Sequence, residues 1–120
     1  MTFDATNLVY NDAGLIPVIA QDNKTKEVLM LAWMNSDAVL RTLSSGEATF
    51  WSRSRKAFWV KGETSGHTQK LIDFRLDCDR DCLLMLVEQV GPACHTNRKN
   101  CFYRSFISGN EIELMAPISD

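Results

Sequence analysis

The densest chemical signal in the chain is the run Asp77-Cys78-Asp79-Arg80-Asp81-Cys82. Three carboxylates at a spacing of two form a hard-oxygen cluster suited to magnesium or calcium. On an extended backbone alternate side chains share a side, which puts the acids on one face and Cys78 and Cys82 on the other. A straight strand rises about 3.3 Å per residue, so Asp77 and Asp81 would stand roughly 13 Å apart. The segment must bend if one ion is to touch all three. An EF-hand loop fits Asp77, Asp79 and Asp81 at its first three ligand positions and Glu88 at its twelfth. It fails at Cys82, where that loop needs glycine, and at Leu83 to Val87, an apolar run that reads as a buried strand. An acidic turn without an ion is the plainer alternative, because clustered charges are usually solvated.

Softer ligands lie further on, in Gly91-Pro92-Ala93-Cys94-His95-Thr96 and at Cys101. Gly-Pro ends the apolar strand and starts a loop, which places Cys94 and His95 at a sheet rim. With Cys78 these cysteines could give three thiolates to zinc, and three protein ligands plus water is the catalytic arrangement. The spacings, fifteen intervening residues and then six, match no common finger or ribbon. Buried hydrophobic cysteines are the alternative reading. Cys82 on the same strand as Cys78 would lie roughly 13 Å away, too far to share an ion, and reads as a core residue.

A third region runs from Trp51-Ser52-Arg53-Ser54-Arg55-Lys56 through Trp59-Val60-Lys61-Gly62-Glu63-Thr64-Ser65-Gly66-His67. Arginine forks, hydroxyls and open backbone amides suit phosphate oxygens. Trp51 or Trp59 could stack on a base, although strand aromatics more often serve the core. No Walker or dinucleotide-binding glycine motif is present.

The elements that must position these groups are mostly strands. Leu15 to Ala20 and Val28 to Met34 flank the polar turn Asp22-Asn23-Lys24 and read as a hairpin. Ser36 is a candidate N-cap for a helix over Asp37 to Ser44, with Leu40 and Leu43 as its apolar stripe and Gly46 as its stop. Ala48 to Ser52 and Ala57 to Val60 follow as strands. Lys70 to Leu76 alternates Leu71, Asp73, Arg75 against Ile72, Phe74, Leu76, the pattern of a half-buried strand. Cys101 to Ile107 and Glu111 to Met115 close the chain around Ser108-Gly109-Asn110. The expected class is α+β, a mainly antiparallel, barrel-like sheet with one clear short helix, in a single domain over 1–120.

Composition narrows the function. The chain has 120 residues, 45% of them hydrophobic and 23% charged, the balance of an ordinary soluble globular protein. A net charge of −2 leaves no broad basic field for nucleic acid, so any phosphate site must be local. The N-terminus has early acids and no unbroken apolar stretch, which excludes a signal peptide, and no run is long enough for a membrane span. A cytoplasmic address follows, and there the four cysteines stay reduced.

Taken together these regions resemble the phosphoribosyl-AMP cyclohydrolase family of histidine biosynthesis. The resemblance starts at Leu31-Ala32-Trp33-Met34-Asn35 and takes in Trp51 to Arg55, Trp59 and Lys61 to His67. It continues through Asp77 to Asp81 and Gly91 to Thr96 to Cys101-Phe102-Tyr103-Arg104, in order over most of the chain. It implies an intertwined homodimer with one zinc per subunit, each zinc site built from both chains. Cys78, Cys94 and Cys101 match the zinc ligands, and Asp77, Asp79 and Asp81 match the magnesium ligands. Arg80 and Asn97 stand where the family pattern has glycine, and Arg80 sets a cation beside the magnesium site. Some relatives carry a fused pyrophosphohydrolase domain, for which a chain ending at Asp120 leaves no room.

The implied substrate is AMP with a second phosphoribosyl group on N1 of adenine. Hydroxide from zinc-activated water would attack C6, and cleavage of N1–C6 would open the ring. His95, next to a zinc ligand, is the candidate general acid/base, with His67 as its competitor or as a substrate contact. Trp51, Arg53, Ser54, Arg55 and Lys61 are the candidate substrate contacts, with Lys99 or Arg104 for the second phosphate. Two other classes make different demands. A structural zinc module would want four closed cysteines and a basic face. A nucleobase deaminase would want His-x-Glu followed by Pro-Cys-x-x-Cys, and neither string occurs.

Overall fold

The computed structural model describes residues 4–118. A 3-10 turn, Ala5–Asn7, precedes strands β1 (Ile16–Asp22) and β2 (Val28–Met34), helix α1 (Ser36–Ser45), and strands β3 (Thr49–Ser52) and β4 (Ala57–Val60). Strands β5 (Gln69–Leu76), β6 (Leu83–Gln89), β7 (Arg104–Ile107) and β8 (Asn110–Glu113) complete it. The main sheet has four strands in the order β2-β1-β6-β5, while β3-β4 and β7-β8 form separate two-stranded sheets. The α+β class with one helix stands. The barrel does not: among the described residues the sheet is open, and β1 pairs with β6 in parallel. A parallel pair needs a long crossover, which the chain from β2 through β5 supplies.

Alternation explains the core. On β1, Ile16, Val18 and Ala20 are fully buried, and they pack with Leu83, Met85 and Val87 of β6 in one apolar cluster. Met30 and Met34 of β2 join it, with Ala32 half-buried against it.

Two expectations for α1 change. The N-cap of α1 is Asn35, whose side chain accepts from the Ala38 N–H at 2.9 Å, so Ser36 begins the helix proper. The buried face of α1 is Ala38, Val39 and Thr42, with Leu43 only partly covered and Leu40 48% exposed. Thr42 turns inward because its hydroxyl donates to the Thr49 carbonyl (3.1 Å) and accepts the Thr49 N–H (3.0 Å), tying helix to β3.

On β5 the ladder passes from Leu71↔Val87 directly to Asp73↔Leu86. Ile72 is the extra residue of a bulge, and an inserted residue flips every later side chain to the other face. Leu71, Phe74 and Leu76 therefore meet the core while Ile72 is 47% exposed. Among the described residues no helix is long and apolar enough to cross a membrane.

Candidate functional site

The acid run does bend. Asp77 accepts from the Asp81 and Cys82 N–H groups at 3.0 and 3.2 Å through Oδ1, and the Arg80 N–H reaches its carbonyl at 3.2 Å. The turn is closed by Arg80 at φ +65°, a left-handed backbone. This explains why a family pattern would carry glycine there. The result gathers carboxylate oxygens of Asp77, Asp79 and Asp81 within 4.8 Å of one another, all three residues exposed. Hydrogen bonding to Asp79, then to Asp77, followed by desolvation and repulsion, pushes Asp81 up to about 6. Three carboxylates crowded in this way suit a hard divalent cation. Arg80 does not neutralise them: among the described residues it joins no ion pair, and its Nε donates to the Asn7 carbonyl at 2.6 Å. Its own carbonyl takes the Val9 N–H at 2.8 Å, so the turn is clamped to the N-terminal segment.

The thiols divide differently. Cys94 is buried, and its thiol lies within hydrogen-bonding reach of Cys101. Burial raises the Cys94 pKa, but hydrogen bonds from the Thr96 hydroxyl (3.0 Å) and amide, the Cys101 thiol and the charge of Lys61 bring it below the ordinary value. Cys101 goes the other way, to about 11, through desolvation and then the neighbouring Cys94. Its residue surface is exposed, so the effect reflects protein crowded around the thiol end. Cys78 is exposed on the acid turn, and the three thiols do not come together in one chain among the described residues. Cys94 and Cys101 alone would be a partial zinc set, and a zinc ion held there would need a further ligand from elsewhere. Cys82 is half-buried with its thiol against the Leu83 carbonyl at 3.8 Å, and it lies outside the core cluster where it was expected.

Of three clefts that Trp59 borders, two hold the expected site residues. The first, about 390 Å³, is lined by Arg55, Lys61, Glu63, His67, Cys94 and His95 among others. Lys61 donates to the Ala93 carbonyl, which ties the strand β4 end to the Cys94 loop. Its half-burial draws its pKa below the usual lysine value, against the opposing pull of the Cys101 and Cys94 thiolates. His67 is placed by glycines: a Cβ on Gly91 would stand 2.6 Å from its ring, and one on Gly62 would stand 2.4 Å from its carbonyl carbon. Both glycines also have positive φ, so the loop passes only without side chains. The second cleft, about 570 Å³, is lined by Leu31, Trp33, Trp51, Ser52, Arg53 and Ser54.

The expected substrate contacts are thus split. Arg55, Lys61 and His67 share a cleft with Cys94 and His95, whereas Trp51, Arg53 and Ser54 line the other. Of the residues suggested for a second phosphate, Lys99 is bound to Glu27 at 2.9 Å and Arg104 lies 4.7 Å over the Tyr103 ring. Trp33 was given no role from the sequence, yet Arg53 sits 4.8 Å over its ring. The signal was present: alternation on β2 sends Met30, Ala32 and Met34 inward, leaving Leu31 and Trp33 on the outer face.

Residues 30–103 match the model of the phosphoribosyl-AMP cyclohydrolase family. A Ruegeria pomeroyi protein named phosphoribosyl-AMP cyclohydrolase is 66% identical over 98% of this chain and 99% of its own length. One of the same name from a Jannaschia species is 68% identical over 96% and 97%, and one from Cereibacter sphaeroides is 61% identical over 98% and 99%. The match takes in both clefts, the acid turn and the paired thiols, and the chain belongs to the phosphoribosyl-AMP cyclohydrolase family.

Proposed function

We propose that the protein is a cytoplasmic hydrolase of histidine biosynthesis that opens the adenine ring of 1-(5-phosphoribosyl)-AMP at the N1–C6 bond. The observation that carries this reading is the first cleft, where Cys94, His95, His67, Arg55 and Lys61 converge, in a chain alike over nearly all its length to proteins named for that activity. The catalytic unit is the single domain over 1–120, working as a homodimer. Cys94 and Cys101 of one chain, with Cys78 of a second copy, would hold one zinc per subunit, and Asp77, Asp79 and Asp81 would hold magnesium. Bound zinc supplies Lewis acidity that makes water a nucleophile near neutral pH.

The remaining work falls to the chain's own side chains. Arg55 and Lys61 bind and orient the phosphorylated substrate against Trp59. His95, exposed at the cleft and next to Cys94, moves the proton that the departing ring nitrogen needs. His67, held by Gly62 and Gly91, contacts the substrate. The deciding experiment incubates purified protein with 1-(5-phosphoribosyl)-AMP and follows loss of the intact purine absorbance, with and without a strong chelator. Loss of the chromophore that the chelator abolishes is expected, with turnover lower by about 10²–10⁴-fold in His95→Ala. An unchanged purine spectrum with metal-loaded protein would sink the reading.

A further inference from the structure

We propose that the first and second clefts beside Trp59 each take one phosphorylated ribose, and that the cleft formed by Trp33, Trp51 and Arg53 is the specificity pocket for the arm remote from Cys94. This rests on the function proposed above, which gives the substrate two anionic arms joined through one base. Trp59 is the residue common to the two linings, so a base resting on it lies next to both clefts. At about 390 and 570 Å³ both clefts fall in the range of small-molecule sites.

Charge points the same way. Residues 48–62 carry Arg53, Arg55, Lys56 and Lys61 and no carboxylate, in a chain whose net charge is −2. The ion pairs among the described residues join Asp73 to Arg75, Glu113 to Arg98 and Glu27 to Lys99, and none of them uses these four cations. Glu63 borders the first cleft, whereas no acid borders the second. A phosphate in the second cleft therefore meets a cation without a competing carboxylate.

The geometry is prepared for that ligand. A surface arginine resting on a tryptophan is often simply packing. Here the guanidinium carbon lies 4.8 Å from the Trp33 ring centroid in the wall of an open cleft, and a guanidinium held over a ring keeps N–H groups to donate. Ser52 and Ser54 bring their hydroxyls to 3.4 Å from each other, and Ser52 Oγ also accepts the Arg55 N–H at 3.2 Å, which fixes the β3–β4 turn. Two hydroxyls and an arginine fork give phosphate oxygens several donors in one place. Trp33 is the positioning residue and Arg53 the ligand.

The test has two arms. With 1-(5-phosphoribosyl)-AMP as substrate, Arg53→Gln should raise KM by about tenfold or more, the effect of losing a charge-assisted hydrogen bond, with kcat within about twofold. Trp33→Leu should do the same, Trp33→Phe should recover much of the loss, and Arg53→Lys should recover only part because it lacks the fork. Separately, ribose 5-phosphate is titrated while tryptophan fluorescence is read, with saturable quenching expected in the wild type and none in Arg53→Gln. Unchanged KM in Arg53→Gln overturns the pocket while the proposed activity survives. Arg53 is exposed, so this variant is expected to fold whatever becomes of Trp33→Leu. If the wild type turns over nothing, the proposed activity fails and the ribose 5-phosphate arm alone decides: binding that Arg53→Gln abolishes keeps the pocket, and its persistence or absence in both removes it.

Discussion

Arg80 and Asn97 show what a single departure from a family pattern can mean. Both stand where glycine was expected, and both have φ of +65°. A left-handed backbone costs a residue with a Cβ roughly 1–2 kcal/mol, less for asparagine. Each recovers something by reaching for a chain end: Arg80 Nε donates to the Asn7 carbonyl, and Asn97 Nδ2 donates to the Ile118 carbonyl. The Ile118 N–H returns a bond to the Asn97 carbonyl at 2.8 Å. The sequence flagged Arg80 as a threat to cation binding, but it could not show the guanidinium turned toward Asn7. Arg80→Gly should thus leave the melting temperature within about 5 °C of wild type, since backbone relief and the lost bond are of similar size. The segment before β1 should loosen, with the Val9 amide exchanging at least tenfold faster. A Val9 amide as protected as in wild type would show that the arginine clamps nothing.

Some elements were legible from the local pattern alone. β4 runs from Ala57 to Val60 as read, and β2 from Val28 to Met34, because apolar runs bounded by turn residues have few other solutions. The bulge at Ile72 was not legible: an inserted residue leaves no mark in an alternating pattern that looks unbroken. Nor was the parallel β1–β6 pair, since strand neighbours are chosen by packing and not by any local signal. The β1–β2 turn is the clearest local device. Asp22 Oδ2 accepts the Thr25 and Lys24 N–H groups at 2.8 and 3.1 Å, and the Thr25 bond is the main cause of its lowered pKa. A carboxylate depressed in the fold stabilises fully above its unfolded value, near 3.8, and that contribution is lost as pH falls through the lower folded value. Asp22→Ala should therefore cost about 1 kcal/mol at neutral pH and progressively less in acid, converging on wild type below the carboxylate range. Denaturant titrations at a series of pH values would measure this. A cost that stays constant down to the lowest pH would mean that the charge of Asp22 plays no part.

At the scale of the whole molecule, the acid turn and the thiol pair are both assembled within one chain, yet Cys78 does not join Cys94 and Cys101 among the described residues. Spacing along the sequence left this open, because ligands separated by fifteen residues can meet within a chain or between two. The surface favours two. Phe102, Phe106, Ile107, Ile112 and Leu114 are each more than half exposed along and beside the β7–β8 hairpin, an apolar display unusual for a monomer. If the proposed zinc site takes Cys78 from one chain and Cys94 and Cys101 from the other, then Cys78→Ser and Cys94→Ser homodimers each lack every intact site. Unfolding the two inactive variants together and refolding them at equal concentration changes this. A mixed dimer pairs the intact Cys94 and Cys101 of one subunit with the intact Cys78 of its neighbour, restoring one site and losing the other. With two-fold symmetry and random pairing, half of the dimers are mixed, so roughly one quarter of wild-type activity and zinc should return. Mixing either variant with itself should restore nothing. A site confined to one chain has no route to recovery by mixing, and an inactive, zinc-free mixture of well-folded dimers would assign all three thiolates to a single subunit.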